Sequence, residues 1–149
     1  MKSRVRAILK RGNELLLVKH KNPQGVPYNT WVLPGGGIED GELITAAIHR
    51  EMVEETGLEP VIGRLLYVHQ FINDGKAEGP EFFFHVENAD DYTSVDLAKT
   101  THGELEIAEI GFHDPRTLEN VLPEFLVDLA DNELPAQTEL VIRDQGLGY

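Results

Sequence analysis

The sequence predicts an α/β fold, an α/β/α sandwich around a mixed, mainly antiparallel sheet. Three observations predict it. Strand-like runs separated by turn residues recur from residue 4 to residue 112. One amphipathic helix interrupts them just after a glycine-rich turn. A second helical region follows the last long strand-like run, so helices can cover both faces of one sheet. No repeat or linker divides the 149 residues, and a single domain over 1–149 is expected.

The elements follow in order. Residues 4–10 read as a strand, 11–14 as a turn and 15–20 as a second strand, together a hairpin. Residues 21–29 form a loop rich in Pro, Gly and Asn, and 28–33 a short strand into the turn at Gly35–Gly37. The helix is expected over about 42–56, with Asp40 as N-cap, Glu42 in the first turn and Gly57 as its stop. A long strand over 60–73, a polar loop over 73–80 and a strand over 81–86 make an antiparallel pair. Residues 88–101 are an acidic surface excursion, and 104–112 another strand. His113 opens the second helical region. There Pro123 suits a first helical position, and Phe125, Leu126 and Leu129 share one face. Beyond 132 there is only a short apolar run, Leu140–Ile142, and a glycine-rich end.

The helix carries the chemistry. Ile44, Ala47 and Ile48 share a face, Glu51 and Glu55 continue that stripe, and Glu54 lies beside them. Glu51 and Glu55 are like charges at i,i+4, and all three sit toward the negative end of the helix. Arg50 can offset this through one pair with Glu54. Pooled carboxylates usually need a cation, and oxygen-only ligands favour Mg²⁺ or Mn²⁺ over zinc. A charge run is more often a solvated face. Here an apolar stripe leads directly into it, which argues against that fate.

Composition narrows the function. Hydrophobic residues at 41% and charged residues at 26% are ordinary globular values. A net charge of −13 argues against binding duplex nucleic acid. With no cysteine there is no disulfide framework and no thiol nucleophile. No signal peptide or membrane span is visible, so a cytoplasmic protein without a membrane partner is expected.

The stretch Gly36, Glu42, Arg50-Glu51-Met52, Glu54-Glu55 and Gly57-Leu58 resembles the signature of the Nudix hydrolases (MutT-like), filling every defined slot at the right spacing. Trp31-Val-Leu-Pro34-Gly35 is similar to the family's usual lead-in. The resemblance implies a Nudix-type sandwich and a metal-dependent hydrolase. Such an enzyme cleaves a diphosphate linkage in a nucleotide or nucleoside diphosphate derivative. It implies Glu51, Glu54 and Glu55 as ligands of Mg²⁺ or Mn²⁺, the Gly36 carbonyl as a backbone ligand, and Arg50 as the residue orienting the glutamates. Glu42 is a weaker, structural candidate. The general base usually lies outside the signature. Glu106 is the first choice and Glu104 the second, on one face of a strand similar to the segment where many members keep a further glutamate.

Arg4 and Lys19 are candidates for phosphate contact, and Trp31 and Phe83 for stacking on a base; Tyr28, Phe71, Phe82 and Phe84 are as ambiguous. His20, His69, His85 and His102 lack any partner spacing and are expected to be structural. The expected partner is a small nucleotide-type molecule, with a homodimer as an allowed assembly. No subgroup motif follows the signature, so the substrate stays open. Two alternatives remain: a nucleotide-binding sensor without turnover, and a hydrolase of non-nucleotide diphosphates.

Overall fold

A computed structural model describes residues 2–146, with side chains through Arg143. The expected α/β architecture is present. A five-stranded sheet has the order β5-β1-β7-β6-β9, formed by Gly35–Gly37 (β5), Arg4–Ile8 (β1), Lys76–Val86 (β7), Ile62–Asn73 (β6) and Glu139–Gly146 (β9). A second sheet joins Lys10–Arg11 (β2), Glu14–Lys21 (β3), Pro27–Val32 (β4) and Ile107–His113 (β8), each of the other three pairing with β3. Pairing is antiparallel except for β1 with β7 and β6 with β9. The helices are α1 (Ile44–Thr56), the single turn α2 (Gly103–Glu106) and the short α3 (Phe125–Leu129).

Alternation along β1 explains the layers. Val5 and Ala7 pack with Ala47, Ile48 and Met52 of α1, whereas Ile8 packs with Leu126 and Leu129 of α3. Strands therefore lie between two helical layers. Burying Ile48 and Met52 contributes on the order of 2 kcal/mol each, which anchors α1.

Several boundaries differ from expectation, each for a physical reason. The strand expected over 4–10 breaks at Leu9, and the chain changes sheets there. Ala7 and Ile8 are both fully buried because β1 is covered on both faces, and the Leu9 carbonyl accepts from the backbone N–H of Leu16 in β3 at 3.0 Å, which draws the chain into the second sheet. The loop expected over 73–80 is only Asp74-Gly75, both at positive φ (52° and 75°), a two-residue hairpin turn whose twist matches the strands. Pro80 lies inside β7 at a bulge, where His69 to Phe71 oppose Glu81 to Glu78, so its missing N–H does not break the ladder.

The expected strand over 104–112 begins at Ile107; residues 103–106 are helical. The second helical region is less extensive than expected. It comprises a 3₁₀ turn at Pro115–Thr117 and the five-residue α3, and Pro123 precedes the α3 N-cap Glu124 rather than occupying a first helical position. The apolar run Leu140–Ile142 becomes the strand β9, pairing in parallel with β6. The glycine-rich end beyond Gly146 lies outside the described residues. Among the described residues no helix is long and apolar enough to cross a membrane.

Candidate active site

The site is built on the last two turns of α1. Ile48, Met52 and Glu55 form one buried stripe, which carries the Glu55 carboxylate to 2% exposure. Its Oε1 accepts a hydrogen bond from the backbone N–H of Gly35 at 2.9 Å. Among the described residues its Oε2 has no hydrogen-bond partner, and His20 Nε2 stands 3.7 Å away. Glu51 lies one turn earlier, against β5. A Cβ at Gly36 would fall 2.5 Å from Glu51 Oε1, so only glycine lets the strand come this close. Burial, and then the Glu55 charge, raise the Glu51 carboxyl above its ordinary range.

Arg50 ties the carboxylates together. Its Nε and one terminal nitrogen donate to both oxygens of Glu42 at 2.7 and 3.0 Å, and that same nitrogen donates to the Gly37 carbonyl at 3.0 Å. The other terminal nitrogen donates to Glu51 at 3.0 Å and Glu54 at 3.2 Å, with Glu39 at 3.8 Å. The single Arg50–Glu54 pair expected from sequence is thus one contact among several. The Arg50 hydrogen bond holds the Glu42 carboxyl down at about 2, with help from the backbone N–H of Glu39. Glu42 and Asp40 do not start the helix. Leu43 is the N-cap, no side chain caps it, and Glu42 precedes the first turn, free to grip Arg50. Gly57 ends the helix as expected, with φ 74° and its N–H on the Val53 carbonyl.

A cleft of about 450 Å³ opens beside these groups, lined by Arg4, Arg6, His20, Tyr28, Thr30 and Val32. His20 belongs both to the cleft and to the Glu55 environment. Arg4 and Arg6 lie opposite Gly37 and Gly35 in the β1–β5 ladder. A second cavity of about 260 Å³, between α3 and β9, is lined by Tyr67, Phe125 and Asp128 among others and touches none of the α1 carboxylates.

A family model described as NUDIX domain matches residues 1–132. The chain belongs to the Nudix family. This Nudix chain is 42% identical over 66 residues to an ADP-ribose pyrophosphatase of Methanocaldococcus jannaschii, covering 44% of this chain and 37% of that protein. It is 33% identical over 92 residues to the uncharacterized Nudix hydrolase YvcI of Bacillus subtilis, covering 61% and 55%. The matched stretch therefore spans between about a third and a half of these curated relatives. Among solved structures, a UDP-X diphosphatase superposes with a TM-score of 0.65 at 25% identity, covering 93% of this chain and 66% of that one.

The Nudix fold brings together Gly36, Glu42, Arg50, Glu51, Glu54 and Glu55. It places the other candidates differently. Glu104 and Glu106 are exposed on α2, so their alternation on a strand does not hold. The turn α2 nevertheless packs on α1. A Cβ at Gly103 would fall 2.3 Å from the Glu55 carbonyl, and His102 Nδ1 is 3.1 Å from Glu54 Oε2. Phe83 is fully buried, edge-on to Tyr67, and cannot stack on a base without unpacking the core. Trp31 is buried against His113, and Lys19 lies over its ring at 5.4 Å, so this pair is engaged with itself rather than with the carboxylates. Arg4 lines the cleft.

His20 and His102, expected to be structural, touch Glu55 and Glu54 instead. They lie far from those glutamates in sequence, and no spacing signals them. Arg6, Tyr28 and Thr30 line the cleft through the i,i+2 periodicity of β1 and β4, a signal that could have found them once β1 was known to border β5.

Proposed function

We propose that this Nudix domain, spanning the chain, is a pyrophosphohydrolase that cleaves a diphosphate linkage in a small nucleotide-type substrate, acting in the cytoplasm with Mg²⁺ or Mn²⁺. One observation carries the reading. Glu55 is buried with one carboxylate oxygen lacking a hydrogen bond among the described residues, next to a second, partly buried carboxylate that rests against Gly36. A buried anion left half-satisfied is costly unless a cation completes it.

The donor set fits a hard cation: Glu51, Glu54 and Glu55 with the Gly36 carbonyl would hold it. Among the described residues no three acidic or histidine side chains form a ligand cage, and Arg50 holds Glu51 and Glu54 on one nitrogen. When bound, the ion would neutralise the diphosphate and lower the pKa of water. The residues then divide the work. Arg50, fixed by Glu42, orients Glu51 and Glu54. The attacking water forms a new P–O bond as the bridging P–O bond breaks, and the leaving phosphate keeps that electron pair. Glu106, or else Glu104, takes the proton of the water.

The relatives named ADP-ribose pyrophosphatase and UDP-X diphosphatase support nucleoside diphosphate derivatives as first substrates to try. The test is product release from ADP-ribose, UDP-sugars and nucleoside triphosphates, with Mg²⁺ and with excess chelator. Hydrolysis should require the ion, and Glu55→Gln should lose most of it while still folding. Binding without hydrolysis across the panel would instead make the domain a nucleotide sensor. Full turnover in chelator would overturn the metal assignment.

A further inference from the structure

The cleft holds two cations that the hydrolytic machinery does not use. Arg4 and Arg6 project from the same side of β1, about 6.6 Å apart at roughly 3.3 Å per residue. They differ in how they are held. Arg6 is braced from below: its Nε donates to Glu81 at 3.3 Å and one terminal nitrogen donates to the Leu33 carbonyl at 3.2 Å. Glu81 is 1% exposed and is held on its other oxygen by His69 Nδ1 at 3.0 Å. Burial disfavours the Glu81 charge, but the His69 hydrogen bond and the Arg6 charge outweigh it and lower its pKa. This buried carboxylate fixes the Arg6 guanidinium at the cleft wall.

Arg4 has no such brace. Among the described residues it forms no ion pair or side-chain hydrogen bond. An unpaired guanidinium is unusual in a chain with 26 acidic against 13 basic residues, where a carboxylate partner is easily supplied. One braced and one unpaired guanidinium, side by side in a cleft, suit a multiply charged oxyanion.

We propose that Arg4 and Arg6 form an anion subsite for a phosphate lying beyond the two that meet the carboxylate helix. The cleft then favours substrates carrying a third phosphate, such as nucleoside triphosphates, over nucleoside diphosphate sugars. The placement supports this. Arg4 and Arg6 lie in register with Gly37 and Gly35 on the face of β1 opposite Val5 and Ala7, and the cleft they line meets the carboxylate helix at His20, which stands 3.7 Å from Glu55 Oε2. Tyr28, 53% exposed on the cleft wall, is available to a base. The proposal rests on the hydrolase reading for its kinetic arm only.

Two measurements test it. The first is calorimetric binding of inorganic tripolyphosphate and of pyrophosphate to the full chain in chelator, which needs no turnover. Tripolyphosphate should bind more tightly, and Arg4→Gln should weaken it about tenfold or more, with partial rescue in Arg4→Lys. Arg4 is only partly buried and unpaired, so these variants should fold as the parent does. The second is the ratio of kcat/KM for a nucleoside triphosphate to that for a nucleoside diphosphate sugar. It should fall about tenfold in Arg4→Gln, and also in Glu81→Gln, which releases the Arg6 brace. Tripolyphosphate binding that depends on Arg4, with no hydrolysis of anything, would uphold the subsite and sink the hydrolase reading. Hydrolysis with an unchanged ratio, and equal binding of both polyphosphates in parent and variant, would sink the subsite alone. Retained binding of tripolyphosphate without any nucleotide preference would identify a non-nucleotide polyphosphate as the source of the third phosphate.

Discussion

Arg50 offers five N–H donors in a rigid fork, and this fold surrounds it with hydrogen bonds to Glu42, Glu51, Glu54 and the Gly37 carbonyl. Glu42 takes the bidentate share and has the consequence that is easiest to measure. Its carboxyl is held at about 2 in the fold, below its usual 4.5. A depressed carboxylate adds stability above its unfolded pKa and loses it as pH falls toward its folded pKa. Melting temperatures should therefore separate the parent from Glu42→Gln at neutral pH, with the parent higher. The gap should close between about pH 4.5 and pH 2; a gap that stays constant would mean Glu42 acts by shape alone. At this scale the sequence was legible wherever spacing along one helix set the contact, as with Arg50 and Glu54. It was illegible for His20 and His102, which reach the glutamates only through sheet pairing and through the packing of α2 on α1.

At the scale of elements, α1 was read well because its apolar stripe and its terminal glycine are both local signals. Its start was misread because Asp40 is a plausible N-cap and Glu42 a plausible first-turn anion, whereas the fold keeps Glu42 outside the helix to bind Arg50. The segment after Thr101 was misread because a single helical turn is too short to leave a period, and Glu104-Leu-Glu106 also fits a strand. That turn can be tested. A methyl at Gly103 would press on the Glu55 carbonyl, so Gly103→Ala should cost about 1–3 kcal/mol by overpacking. A melting temperature equal to the parent's would show that α2 is not fixed on α1. Glu106→Gln and Glu104→Gln, compared side by side, decide the base. The one that serves should lose roughly 10²- to 10⁴-fold in turnover.

At the scale of the molecule, the strands and their mixed pairing were foreseeable, but their division into two sheets was not. Strand order depends on contacts between residues as distant as Arg4 and Glu81, and no local pattern encodes them. The proposed metal should also act on the whole fold. A ligand that binds only the folded chain at 100 times its dissociation constant adds about 2.7 kcal/mol. For a chain of this size that amounts to roughly 5–10 °C in melting temperature. Mg²⁺ should raise the midpoint saturably, and a monovalent salt of equal ionic strength should not. Equal shifts from both would point to general screening of the net charge of −13.

The parallel pairing of β1 with β7 also sets a timetable for synthesis. β1 can meet β5 early, as a small antiparallel ladder of Arg4–Arg6 with Gly35–Gly37. It cannot gain its central neighbour until Glu81–His85 has left the ribosome. Until then the carboxylate helix has only part of the sheet to rest on, and Val5 and Ala7 lack Phe84 and Val86 from their shared cluster. The nascent first half therefore carries the signature glutamates without the floor that positions them. It exposes apolar surface for as long as β7 takes to arrive, which makes that interval the one in which a ribosome-bound chaperone has most to protect.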